Sequence, residues 1–269
     1  MKKLPCYMSS THMNSHNDWI ACIEQAKAMG FDGVELFSGE NGVNFADMPE
    51  ERCMEIARRA QELNVRISAH PWVNWEHLPE DELIVRYREL IACCIRMGMT
   101  EINMHMHFLA TREQGMQRIF AATDPCIESL KKANAILLYE DVPEHGAREL
   151  GSDAADFDQL FAHYAPDSNV MMNIDSGHAH IMGHLDHLVR KHGSRWRYTH
   201  IDDNDGVNDL HVAPGAGTID FAAFALAAQR ANYTGVLMME YHENHLSTGM
   251  PVLEQAYSTA SYTLSNIQK

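Results

Sequence analysis

The sequence has no run of 18 apolar residues, so no transmembrane helix is expected. It is also poor in positive charge: 21 Lys and Arg stand against 37 Asp and Glu, a formal net of −16. A chain this acidic is repelled by the nucleic-acid backbone and by anionic lipid unless a local basic patch intervenes. The six cysteines, at 6, 22, 53, 93, 94 and 126, include no CxxC pair and no framework-like spacing. They read as reduced thiols of a cytoplasmic protein, mostly small buried side chains. The opening Met1-Lys2-Lys3-Leu4-Pro5-Cys6 has two lysines but no apolar stretch after them, so no signal peptide is expected. Linkers and low-complexity segments are lacking as well. Disordered, fibrous and membrane classes are excluded.

What is present is an ordinary globular composition: 269 residues, 45% hydrophobic and 22% charged, enough to bury one full-sized core. A length of this order suggests two domains at about 150 residues each, but a single α/β barrel also runs to roughly 250. Histidine is over-represented, with 17 in the chain.

Short β-branched or apolar runs alternate with amphipathic stretches along the whole length. The strands expected are Leu4–Met8, Gly33–Phe37, Val65–His70, Glu101–His105, Ala135–Glu140, Val170–Asp175, Trp196–Ile201 and Val236–Glu240. The helices expected between them are Asn17–Met29, Glu50–Leu63, Asp81–Met97, Gly115–Ala133, Ala154–Tyr164, His180–His192, Phe221–Ala231 and Pro251–Ile267. Met29-Gly30 reads as a helix end with its glycine cap, and Thr123-Asp124-Pro125 as either a kink or a new helix start. Units of about 33 residues fit the strand-plus-helix repeat of a closed barrel. No GxGxxG follows the first strand, which disfavours an open doubly wound sheet. The expectation is one α/β domain over residues 1–269, a single (β/α)8 TIM barrel.

Barrel enzymes place their chemistry at the carboxyl ends of the strands. Here the third expected strand ends in His70, the fourth in His105, the fifth in Glu140 and the sixth in Asp175, with His178 three residues on. The seventh ends near His200, followed by a loop holding Asp209 and His211, and the eighth ends in Glu240. Taken singly, each residue has an ordinary explanation: a satisfied histidine, a solvated loop acid or, for Asp175, a helix N-cap. Six consecutive strand ends make a pattern, however. Imidazoles and carboxylates gathered at one mouth are the ligand set of Zn²⁺, Mn²⁺ or Fe²⁺, and uncompensated they are costly. His107 shares parity with His105, so a two-residue slip would exchange them. His242 and His245 read as rim residues, and His180, His184 and His187 as solvent-facing. The Asp202, Asp203 and Asp205 turn reads as solvated, with Asp202 within possible reach of a ligand histidine.

These residues resemble the xylose-isomerase-like TIM-barrel superfamily, from Gly30-Phe31-Asp32-Gly33-Val34-Glu35-Leu36 to Tyr233-Thr234-Gly235. The most telling segments are Asp175-Ser176-Gly177-His178-Ala179, His200-Ile201-Asp202-Asp203-Asn204 and Pro214-Gly215-Ala216-Gly217-Thr218-Ile219-Asp220-Phe221. Two branches are open. Sugar epimerases of the superfamily bind one metal through residues that fall on Glu140, Asp175, His200 and Glu240. In that branch Glu140 and Glu240 are also the catalytic acid/base pair beside a metal-polarised carbonyl, and His178 binds a sugar hydroxyl. Trp72 or Trp75 stacks on the sugar or simply packs, and the extra histidines, His105 among them, contact substrate. Many of these epimerases carry a substrate-binding arginine where this chain has His211.

Asp209-Leu210-His211 instead resembles the third-metal motif of endonuclease IV. All nine ligand positions of that enzyme are filled: His70, His105, Glu140, Asp175, His178, His200, Asp209, His211 and Glu240. That resemblance implies a multinuclear hydrolase or lyase using metal-bound hydroxide. DNA is disfavoured as its substrate by the net charge and by a short His70-Pro71-Trp72-Val73-Asn74 loop. Asp141-Val142-Pro143-Glu144-His145 also departs from the nuclease pattern, and only Arg112 and Arg148 fall near the early rim. The sequence reading therefore puts a metal-dependent sugar isomerase or epimerase first and a multinuclear hydrolase or lyase second. A catalytically silent metabolite-binding barrel comes third. Expected with the first are one to three divalent ions per chain (zinc or manganese ahead of iron), a small carbohydrate-like substrate, no nucleic acid or membrane partner, and homo-oligomerisation.

Overall fold

The computed structural model describes the chain except for Asn17, residues 39–43, Asn74, Glu76, residues 107–110, residues 145–149, Asn266, Gln268 and Lys269. His107 and Arg148 therefore lie outside the described residues. In chain order the elements are β1 (Lys2–Leu4), β2 (Cys6–Ser9), α1 (Trp19–Met29), β3 (Gly33–Ser38), α2 (Glu50–Leu63), β4 (Arg66–Pro71) and α3 (Glu80–Arg96). Next come β5 (Glu101–His105), α4 (Arg112–Thr123), α5 (Ile127–Ala133), β6 (Ile136–Glu140), α6 (Ala154–His163) and β7 (Val170–Asp175). The chain ends with α7 (Ser176–Met182), α8 (Leu185–His192), β8 (Trp196–Ile201), α9 (Phe221–Arg230), β9 (Val236–Met239), α10 (Leu246–Thr259) and β10 (Tyr262–Leu264). Strands β2 to β9 form a closed, all-parallel barrel in sequence order, sealed by β2 against β9. The expected TIM barrel is what the chain forms.

Local chemistry sets the boundaries. The Asp18 carboxylate accepts from Ile20 N at 2.9 Å and starts α1, which Gly30 ends at φ 83°. Asn64 and Asn134 end α2 and α5 in the left-handed region, each delivering the chain to the next strand. The expected first strand is interrupted at Pro5, which has no N–H for a ladder. Its outer piece, β1, pairs instead with β10. The expected helix Pro251–Ile267 is displaced: α10 runs through Pro251 and stops at Thr259, and Ser261 at φ 64° turns the chain into β10. The Asp124-Pro125 step is a 3-10 turn and then a new helix, and Gly183 at φ 65° divides α7 from α8.

Alternation along each strand creates two interiors. One face, with Val34, Leu36, Met104, Leu137 and Ile174, joins the buried layer under the helices. The other fills the barrel. Its floor is a separate cluster of Tyr7, Leu138, Tyr198, Val236 and Met238. A Cβ at Gly33 would come within 2.6 Å of the Tyr7 ring, so the glycine makes room for that floor residue. Above the floor the lining turns polar, with the Ser68 hydroxyl 2.8 Å from the Tyr198 hydroxyl. All six cysteines are buried and none is in a disulfide. No described helix is long and apolar enough to cross a membrane.

Candidate metal centre

Register carries the charged residues to one level. His105 is the Cα partner of Glu140 in the β5–β6 ladder, and Asp175 is the partner of His200 in β7–β8. Glu240 follows β9 directly and donates its backbone N–H to Ile201 O at 2.9 Å. The nine residues expected at the mouth fall into three groups, within each of which the ligand atoms lie inside 4.8 Å of one another. Glu140, Asp175, His200 and Glu240 form a fully buried quartet. His70 and His105 meet Glu140 on one side, and His178, Asp209 and His211 gather on the other.

The quartet is tight. His200 Nδ1 lies 2.6 Å from Glu240 Oε2, 3.2 Å from Glu140 Oε1 and 3.8 Å from Asp175 Oδ2. Asn103 and Asn173 both donate amide N–H bonds to Glu140 Oε2, the latter at 3.1 Å. In the first flanking group His70 Nε2 and His105 Nε2 are 3.2 Å apart. In the second, Asp209 Oδ2 lies 3.4 Å from His178 Nε2 and 3.3 Å from His211 Nε2. The far nitrogens of these two imidazoles are held by backbone: His178 Nδ1 donates to Asp141 O at 2.7 Å and His211 Nδ1 to Glu240 O at 3.2 Å.

Proton affinities are pulled apart by this crowding. Burial pushes the Asp175 carboxyl well above its usual range, helped by the charges of Asp202, Glu240 and Glu140. Burial would do the same to Glu140, but the neighbouring histidines, His200 first, hold it well below. His200 stays well above an ordinary imidazole because Glu140, Glu240 and Glu35 outweigh burial. His211 is lifted to about 10 against burial by Asp209, Glu240 and Asp202. A site that must distribute protons this unevenly is one that a bound cation relaxes.

Several side chains at the site have no counterpart among the expected candidates. Glu35, on β3, is fully buried between His70 and His200. His12, beyond β2, lies with its ring 5.4 Å from that of His211 and forms a further group with His211 and Glu240. Burial lowers its pKa to about 4. Asp141 takes Asp175 N at 2.8 Å and His184 Nε2 at 2.7 Å, so His184 is buried rather than solvent-facing. Asp202 and Asp203 are also buried, contrary to expectation. Asp203 accepts from Gly215 N and Gly217 N at 2.9 Å and from Ile219 N at 3.0 Å, fixing the loop that follows His211. Asp202 Oδ2 lies 3.3 Å from His211 Nδ1, so the expected reach of Asp202 to one of the candidate histidines is met even though its exposure is not.

Other expectations sort simply. Asp205 is exposed, as are His242 and His245 at the rim. His180 is on the outside, bonded to the Thr218 hydroxyl at 2.9 Å, and half-buried His187 lies 3.2 Å from Asp158. Trp72 is 46% exposed and meets His105 edge-on at 5.5 Å, which keeps it at the mouth. Trp75 is buried beside Tyr87 and packs. Arg112 is tied to Asp153 and Asp156.

The chain matches the model of the xylose isomerase-like TIM barrel family over residues 23–259. An uncharacterized protein of Sinorhizobium fredii, y4fM, is 26% identical over 187 residues, 67% of this chain and 58% of that protein. The chain thus aligns with little more than half the length of this curated relative. Among solved structures, a D-tagatose 3-epimerase-like protein superposes with a TM-score of 0.77 at 17% identity, covering 97% of this chain and 98% of its own. An L-ribulose 3-epimerase does so with a TM-score of 0.72 at 17% identity, over 96% of each chain. At these identities the likeness is one of fold. With the family model spanning nearly all of the barrel, the chain belongs to the xylose isomerase-like TIM-barrel family.

Proposed function

We propose that this protein is a divalent-metal-dependent isomerase or epimerase of a sugar or sugar derivative. The observation that carries the reading is the buried quartet of Glu140, Asp175, His200 and Glu240, in which two glutamates from β6 and the end of β9 converge on one imidazole. The quartet suits a cation. Asp175 Oδ2, His200 Nδ1 and Glu240 Oε2 are buried and have no hydrogen-bond partner, although the last two are 2.6 Å apart. A carboxylate-rich set with one imidazole fits Mn²⁺ or Zn²⁺, with Fe²⁺ also accommodated. Two structural neighbours are named as 3-epimerases or epimerase-like, which supports the same chemistry.

When bound, the ion would supply Lewis acidity at a substrate carbonyl. The chain supplies the proton handling: Glu140 or Glu240 takes the proton from the carbon beside that carbonyl, and the same or the opposite carboxylate returns it. Asn103 and Asn173 hold Glu140 Oε2, which leaves Oε1 toward His200 and His178. His178 and His105 offer ring nitrogens to substrate hydroxyls, and Trp72 offers a face for the apolar side of a sugar ring. Incubation with free ketoses in deuterated water tests the reading. It expects solvent deuterium at the epimerised carbon, lost in Glu140→Gln and Glu240→Gln; epimerisation without exchange, or no turnover of any ketose, contradicts it.

A second reading draws on one specific observation. The histidine-bearing groups on either side of the quartet, with Glu140 shared between two of the three, match what a multinuclear hydrolase or lyase would need. It predicts bond cleavage without deuterium uptake.

A further inference from the structure

Glu35 is unused by either reading, yet it is a fully buried acid of the site, on β3 three residues short of the strand end and 0% exposed. Its carboxylate lies between two imidazoles. Oε1 is 3.3 Å from His70 Nδ1, and both oxygens are 3.4 Å from His200 Nε2. The hydrogen bond formed is that between His200 Nε2 and Glu35 Oε2, while Glu35 Oε1 and His70 Nδ1 are buried, 3.3 Å apart and have no other hydrogen-bond partner. The opposite nitrogens point up into the cluster: His70 Nε2 is 3.8 Å from Glu140 Oε2, and His200 Nδ1 is 3.2 Å from Glu140 Oε1.

We infer that Glu35 is a positioning residue that sets the tautomers of both His70 and His200, turning Nε2 of the first and Nδ1 of the second toward adjoining metal subsites. The inference rests on the metal-dependent reading above, with an ion in the His70, His105 and Glu140 group as well as in the quartet. An ionised carboxylate only accepts, while a neutral imidazole donates from one nitrogen and presents a lone pair at the other. Placing one acceptor behind both rings therefore assigns a proton to Nδ1 of His70 and to Nε2 of His200, and the lone pairs go to the mouth. Outer carboxylates of this kind orient ligand histidines and raise their basicity. Here a single carboxylate serves rings from β4 and β8, so the two subsites share one support. A cation held by Glu35 itself is the competing arrangement, since Glu35, His70, His200 and Glu240 also bring one ligand atom each within 4.8 Å of one another.

Zinc-loaded full-length protein labelled with 15N at histidine provides the test. The spectra are expected to show His70 ligated through Nε2 and protonated at Nδ1, and His200 ligated through Nδ1 and protonated at Nε2. Glu35→Gln, which keeps the volume but offers one acceptor oxygen, is expected to weaken zinc binding about 10- to 100-fold in chelator competition and to shift both imidazole N–H resonances. Reversed tautomers in the wild type overturn the inference, and that measurement decides even if the variant does not fold. Zinc affinity of a folded Glu35→Gln protein equal to wild type overturns it too. Wild-type protein that takes up no zinc counts against the metal-dependent reading instead, and the tautomers are then read on the metal-free chain.

Discussion

The two ends of the barrel interior are built from the same eight strands and could hardly differ more. At the floor, Tyr7, Leu138, Tyr198, Val236 and Met238 close the bore with apolar contact; Tyr198 meets the Ser68 hydroxyl, and only the Tyr7 hydroxyl in this cluster is buried without a hydrogen-bond partner. At the mouth, a residue or two further along the same strands, buried carboxylates and imidazoles crowd within hydrogen-bond range, and several of their atoms have no partner. The floor is what packing stability requires, and the mouth is what stability alone would remove. Like charges held at this depth are retained only where something else, a cation in this account, balances them.

Variants at the two ends should therefore fail in opposite ways. The largest effect is expected from Asp175→Asn, which keeps an acceptor for the His178 N–H that starts α7 but removes a ligand charge. Turnover should fall on the order of 10²–10⁴-fold, bound metal should be lost, and the melting temperature of the metal-free protein should hold or rise. A drop in metal-free stability would mean that the mouth is structural and would break the comparison. The reverse is expected of Leu138→Ala. It should lower stability by about 2–5 kcal/mol in urea unfolding while leaving metal stoichiometry unchanged. The smallest effect belongs to a charge cluster away from both ends, where Asp158 meets Lys191, His192 and His187. Asp158→Asn should cost less than about 1 kcal/mol, with unchanged turnover. A larger loss would show that charge clusters stabilise this fold generally and that the mouth is nothing special.

The barrel was legible because strand and helix periodicities alternate cleanly, and the strand ends could be scanned for chemistry once that was seen. What escaped was what local pattern does not encode. Glu35 sits below a strand end, so a scan of last residues passes over it; its burial depends on histidines 35 and 165 positions away. Asp202 and Asp203 look like a solvated acidic turn, and the amides that bury Asp203 come from residues 215 to 219. The displaced C-terminal helix failed for another reason. Proline is favoured at a first helical position, so Pro251 suggests a start, and the left-handed Ser261 that precedes β10 carries no glycine or asparagine signal.

The most direct test of the metal-centred account is the divalent-ion content per chain, by elemental analysis of protein purified without chelators. The account predicts at least one ion per wild-type chain and none in the quartet of Asp175→Asn. About one ion, retained in His211→Ala, favours the isomerase, and about three, falling when His211 is removed, favour the multinuclear reading. Wild-type protein that carries no divalent metal, and whose melting temperature does not move when zinc or manganese is added in excess, would contradict it.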